Sequence, residues 1–107
     1  MSNKKEFSDT SAKRYSLALY ELASETNLLV KVEQNSLAFS NLISANKDFN
    51  NLIKDPTTNR EDLTNIVNKI SEISKIELIF KNFLNLLIIK RRFFYIEQIL
   101  KNFIEIC

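Results

Sequence analysis

The stretch Thr58-Asn59-Arg60-Glu61-Asp62-Leu63-Thr64-Asn65-Ile66-Val67-Asn68-Lys69-Ile70-Ser71-Glu72-Ile73 places its apolar residues at Leu63, Ile66, Val67, Ile70 and Ile73. Those spacings fall on one side of a 3.6-residue turn and contradict a strand, whose faces alternate every second residue. Thr58 followed by Glu61 reads as a capping box that opens this helix. Just before it, Asp55-Pro56-Thr57 ends a short helix carrying Phe49, Leu52 and Ile53, because a residue before proline is pushed out of the helical region. Asn46 caps that short helix.

Further upstream, a longer helix from about Leu28 to Ala45 holds Leu29, Val32, Phe39, Leu42 and Ile43 on one side. The first helix follows a polar tail (residues 1–8) and a cap cluster, Ser8, Asp9, Thr10 and Ser11. It runs to about Thr26, where Asn27 takes the left-handed stop position usually held by glycine. Downstream, a fifth helix covers about Ile76 to Lys90. A sixth runs from about Arg92 to the end, with Ile96, Ile99, Leu100, Phe103 and Ile106 inward. No segment alternates with period two. The expected fold is all-α, a compact six-helix bundle over residues 9–107.

Composition excludes much catalytic chemistry. The 107 residues contain no His and no Gly, so imidazole-activated nucleophiles, imidazole zinc sites and glycine phosphate loops are absent. The lone Cys107 cannot close an internal disulfide. Apolar residues make up 45% and charged residues 26%, the balance of a globular domain. Net charge is +2, far from the basic footprint of a dedicated nucleic-acid binder. Met1 to Glu6 carries no apolar run, so no secretory signal is expected. The most apolar segment, Ile76 to Ile89, holds Lys81, Asn82 and Asn85 and is too short to span a bilayer, so it reads as a buried helix. The sequence calls for no cofactor, no metal and no catalytic residue.

Two helices carry more apolar surface than one core needs. On the first, Ala18, Leu22, Tyr15, Leu19, Ala12, Ala23 and Tyr20 span about 200° of the wheel, where about 100° suffices for one contact face. On the fifth, Ile76, Leu78, Ile79, Phe80, Phe83, Leu84, Leu86, Leu87, Ile88 and Ile89 point almost all round. Either the fifth helix is the enclosed centre of the bundle, or another molecule covers one side. Ala18 beside Tyr15 favours a groove that receives a helix, with anchors at i, i+3, i+4 and i+7.

Ser11-Ala12-Lys13-Arg14-Tyr15-Ser16-Leu17-Ala18-Leu19-Tyr20-Glu21-Leu22-Ala23 resembles the opening helix of the delta subunit family of F-type ATP synthase, called oligomycin sensitivity-conferring protein in mitochondria. The family pattern is Tyr-Ala-x-Ala-Leu-Phe-x-Leu-Ala, with Ser16 and Tyr20 as departures. A second match is Asn82-Phe83-Leu84-Asn85-Leu86-Leu87, followed by Arg92 and then Ile99-Leu100-x-x-Phe103. The family reads Asn-Phe-Leu-x-Leu-Leu-x-x-Asn-Gly-Arg there, so Lys90 and Arg91 replace Asn-Gly.

The resemblance implies a non-catalytic, six-helix N-terminal domain of the peripheral stalk, the stator that caps the catalytic head during proton-driven ATP synthesis. It implies a groove between the first and fifth helices for the N-terminal helix of an alpha subunit. The contacts carried over are Tyr15, Ala18, Asn82, Phe83 and Leu86; Leu22 and Ile79 are added from the wheel. Family members continue into a second domain that engages b-type stalk subunits, which this chain is expected to lack. The expected location is peripheral, on the cytoplasmic face of the bacterial inner membrane or its organelle equivalent, with no membrane insertion and no nucleic acid.

Other candidates have plainer explanations. Lys90-Arg91-Arg92 is either a phosphate-binding patch for RNA or lipid, or a solvated set of cations complementing a helix C-terminus. Glu61-Asp62 suits the first turn of a helix better than a metal. Cys107 as a reactive thiol has little around it. Asn82 is either a core amide or a hydrogen-bonding group for a docked peptide. The alternative function, a small helical RNA-binding or antitermination-type factor, requires a basic stripe that the sequence does not provide.

Overall fold

Phe39 is the hub of the core. Its ring meets Phe49, Phe80 and Phe93 edge-on, with centroids 6.0, 6.1 and 6.4 Å away. These three rings come from three other parts of the chain, so one side chain ties four elements together. In the computed structural model, which describes residues 3–55 and 57–107 and side chains from Ser11 onward, the elements are six helices in chain order. They are α1 (Asn3–Glu25), α2 (Leu29–Ala45), α3 (Lys47–Lys54), α4 (Arg60–Ser74), α5 (Leu78–Ile89) and α6 (Ile96–Ile106). A 3₁₀ turn, Phe93–Tyr95, precedes α6. No strand occurs among the described residues. The all-α expectation holds.

Helix ends follow local chemistry, with three corrections. The first is that α6 begins at Ile96 and not near Arg92, because the 3₁₀ turn Phe93–Tyr95 comes between. Asn46 caps α3 as expected: its side chain accepts from the Phe49 amide at 3.0 Å. Asp55, before Pro56, leaves the helical region at φ −80° and ψ 111°. The cap of α4 is Asn59 and not Thr58, because Asn59 Oδ1 accepts from the Glu61 amide at 2.7 Å. The Thr58 hydroxyl instead donates to the Leu52 carbonyl at 2.8 Å, closing the turn. The Ser8–Ser11 cluster does not start α1, which already runs from Asn3 through Lys4, Lys5 and Glu6, all good helix formers.

Three helices stop through left-handed residues, and in a chain without glycine these are Asn27 (φ 59°), Lys75 (φ 51°) and Arg91 (φ 59°). At the end of α1, the Leu28 amide donates to Ala23 O at 2.9 Å and the Asn27 amide to Ser24 O at 3.2 Å. The end of α5 repeats this pairing: Arg92 N–H to Leu87 O at 2.8 Å, and Arg91 N–H to Ile88 O at 3.1 Å. This is the Schellman arrangement, which satisfies carbonyls the helix leaves open. Asn tolerates the left-handed region; a Cβ-bearing arginine is destabilised there. Arg91→Gly should therefore raise stability by roughly 0.5–1 kcal/mol, seen as a later urea midpoint at unchanged slope.

The α1–α6 seam is built from small residues. Ala12, Ser16, Leu19 and Ala23 are fully buried, as are Ile96, Ile99, Leu100 and Phe103 of α6. Ser16 Oγ lies 2.7 Å from both Ala12 O and Ile99 O, so its one proton serves either helix. Ser16 thus fills the place of the family's alanine without leaving a buried hydroxyl unsatisfied. The α4 stripe splits: Leu63 and Val67 are buried and Ile66 and Ile70 half-buried, but Ile73 is exposed at the helix end. In the same way Leu42 of α2 and Ile106 of α6 face outward.

Candidate functional site

Helices α1 and α5 pack side by side, and the contact is marked by Tyr15 against Phe83, ring centroids 6.5 Å apart at 69°. Phe83 is buried and Tyr15 half-buried, so the two rings form the inner boundary of the surface. On α1, Ala18 and Leu22 follow Tyr15 at i+3 and i+7, and both are exposed. On α5, Ile79, Asn82, Phe83 and Leu86 occupy i, i+3, i+4 and i+7, with Ile79 half-buried and Asn82 and Leu86 exposed. The seven expected residues therefore lie on two helices that touch at Tyr15 and Phe83. Leu19, one position after Ala18, is fully buried in the core.

The fifth helix is not the enclosed centre of the bundle. Phe80, Phe83, Leu84, Leu87 and Ile88 are buried, but Leu78, Leu86 and Ile89 are 69%, 42% and 63% exposed. Leu78 and Ile89 extend the outer strip of α5 past Asn82 and Leu86, and they were missing from the expected site. The signal was present in the apolar circumference of the helix; only the packing of α1 and α4 shows which part stays open. Asn82 is exposed, so it is not a core amide; it supplies a hydrogen-bonding group within an otherwise apolar strip. Leu17 is also exposed, but it lies about 160° around α1 from Tyr15.

The profile of the family "ATP synthase delta (OSCP) subunit" matches residues 12–107, almost the whole chain. The chain belongs to this family. Among proteins named ATP synthase subunit delta, that of Pelagibacter ubique is 55% identical over all 107 residues, which cover 58% of that protein. The one from Magnetococcus marinus is 35% identical over 83 residues, 78% of this chain and 45% of the relative. That of Chelativorans sp. is 30% identical over 95 residues, 89% of this chain and 51% of the relative. The chain spans about half the length of the curated relatives it matches.

Within the delta (OSCP) family pattern, the Lys90-Arg91 replacement leaves the turn intact, since Arg91 adopts the left-handed conformation that suits the pattern's glycine. Lys90 and Arg91 are exposed and Arg92 is half-buried around the end of α5. Glu61 and Asp62 are exposed in the first turn of α4. No group of three or more His, Cys, Asp or Glu able to hold a metal occurs among the described residues. At Cys107, burial first and Glu33 second push the thiol pKa up, which lowers the reactive thiolate fraction. Among the described residues, no helix is long and apolar enough to cross a membrane.

Proposed function

We propose that this chain is a non-catalytic peripheral-stalk component of an F-type ATP synthase. It docks on the catalytic head by receiving the N-terminal helix of an alpha subunit between α1 and α5, and so supports proton-driven ATP synthesis. The observation that carries the proposal is the open strip itself. In a chain of this family, Tyr15, Ala18, Leu22, Ile79, Asn82 and Leu86 stand together on two adjoining helices, uncovered or only half covered. A pattern of i, i+3, i+4 and i+7 on α5 matches how one amphipathic helix meets another. Apolar contact supplies the driving force, and Asn82 adds a polar group that fixes register. The complex would sit peripherally at the membrane that carries the synthase.

The test is calorimetric titration with a synthetic alpha-subunit N-terminal peptide from the same source. Tyr15→Ala should weaken binding by about 2 kcal/mol, the scale of an aromatic hot spot. It should change the melting temperature less than Leu19→Ala, because Tyr15 is only half-buried and Leu19 is fully buried. Equal affinity of Tyr15→Ala and the parent chain would remove Tyr15 from the docking surface.

A further inference from the structure

A cleft of about 500 Å³ opens where the α3–α4 turn, the start of α4 and the end of α5 meet. None of Tyr15, Ala18, Leu22, Ile79, Asn82, Phe83 and Leu86 lines it. Its wall includes Arg60 and Arg91, together with Thr58, Asp55, Leu63 and Phe94. Arg60 is the first residue of α4, and its Nη1 lies 3.5 Å from the carbonyl of Ile89, two residues before Arg91. The fold thus brings an arginine from the start of α4 and one from the turn after α5 to one concavity. Neither makes an ion pair among the described residues, where Lys54 pairs with Glu97 at 3.2 Å.

The carboxylate on the same wall is hydrogen-bonded to Thr57 and makes no ion pair with either arginine among the described residues. Asp55 Oδ1 accepts from the Thr57 hydroxyl at 2.6 Å and from the Thr57 amide at 2.9 Å. Those bonds, the hydroxyl first, hold the Asp55 carboxyl below the usual carboxylate range, with no contribution from an arginine. Two like charges facing one cleft repel each other, and a bound anion converts that repulsion into attraction.

We propose that this cleft binds a small organic phosphate, its phosphoryl group held between Arg60 and Arg91 and its apolar body against Phe94 and Leu63. Two guanidinium forks present more donors than a carboxylate's two oxygens use, and a phosphoryl group offers three acceptor oxygens. A phosphate monoester carries about −1.5 to −2 charge at pH 7 and so draws on both guanidinium groups against the single Asp55 carboxylate more strongly than a monoanionic carboxylate does. The volume falls in the usual range for small ligands, about 300–1,000 Å³. A nucleic-acid strand would instead require a basic stripe across a face, and these cations converge on one hollow.

The test is a titration of the nitrogen-15-labelled 107-residue chain, at fixed ionic strength, with phenyl phosphate, inorganic phosphate, benzoate, sulfate and an oligouridine. Phenyl phosphate should give saturable shifts of the Arg60, Arg91 and Phe94 amide signals, with inorganic phosphate weaker at the same residues. Arg60→Gln and Arg91→Gln should each weaken phenyl phosphate roughly tenfold or more with the melting curve retained, the scale of one lost charged partner. Arg91→Lys should weaken it too, since an ammonium keeps the charge and loses the fork. No saturation, equal binding by the Gln variants, or benzoate or sulfate binding as tightly as phenyl phosphate would overturn the proposal. So would an oligouridine that binds more tightly, with shifts spread beyond the cleft.

Discussion

Ala18→Asp is expected to abolish binding of the alpha-subunit peptide while the domain melts as the parent chain does. Ala18 is exposed on α1, so the new carboxylate stays hydrated in the free domain and costs the fold little. Once a helix closes over it, that charge is buried without a partner, an effect of about 3–5 kcal/mol or more than a hundredfold in affinity. The gap left by a small side chain is also filled, so the approaching backbone is held away. Leu19→Ala is the opposite control. Leu19 is fully buried, and its truncation should cost about 2–5 kcal/mol of stability while the folded fraction keeps its affinity. Calorimetric titration beside thermal melts of both variants separates the two effects. An Ala18→Asp chain that binds normally while folded would show that the partner does not lie against this part of α1.

Phe39→Ala is expected to be the most damaging single core substitution. Phe39 is 2% exposed and its ring contacts Phe49, Phe80 and Phe93, so truncation opens a cavity where α2, α3, α5 and the 3₁₀ turn meet. The expected loss is about 3–5 kcal/mol, a large part of the 5–15 kcal/mol that holds a domain together. For a domain near this size each kcal/mol shifts the melting temperature by roughly 4–8 °C, so the fall should exceed about 12 °C. Phe39→Leu, which keeps most of the volume, should recover more than half of that loss. If Phe39→Ala melted within a few degrees of the parent, the aromatic junction would not be the centre of stability.

Six helices are readable from sequence because hydrophobic periodicity repeats over many residues, whereas each boundary rests on a single competition. Thr58 and Asn59 are both good caps, and nothing local chooses between them. The choice is tertiary, because the Leu52 carbonyl across the turn claims the Thr58 hydroxyl and frees Asn59 to cap α4. Ser8, Asp9, Thr10 and Ser11 likewise look like a start but lie inside α1, since cap residues cost a helix interior only a few tenths of a kcal/mol each. Asn27 was legible as a stop because asparagine tolerates the left-handed region; Arg91 in the same role was not, because no side-chain property of arginine announces it.

The proposed docking strip was legible in its parts and not in its extent. Excess apolar arc singled out the two helices and added Leu22 and Ile79, while the family resemblance supplied Tyr15, Ala18, Asn82, Phe83 and Leu86. Leu78 and Ile89 escaped because an all-round apolar helix gives no hint of which side its neighbours cover. Exposed apolar residues also occur elsewhere: Leu42, with half-buried Ile66 and Ile70, lines a second patch across α2 and α4. That patch is the physical competitor for any apolar partner helix.

The most direct measurement follows the amide signals of the labelled chain as the alpha-subunit N-terminal peptide is added. Docking between α1 and α5 predicts saturable shifts at Tyr15, Ala18, Leu22, Ile79, Asn82 and Leu86, with Leu42, Ile66 and Ile70 unmoved. Shifts confined to the α2–α4 patch, or no saturable shift at all, would contradict it.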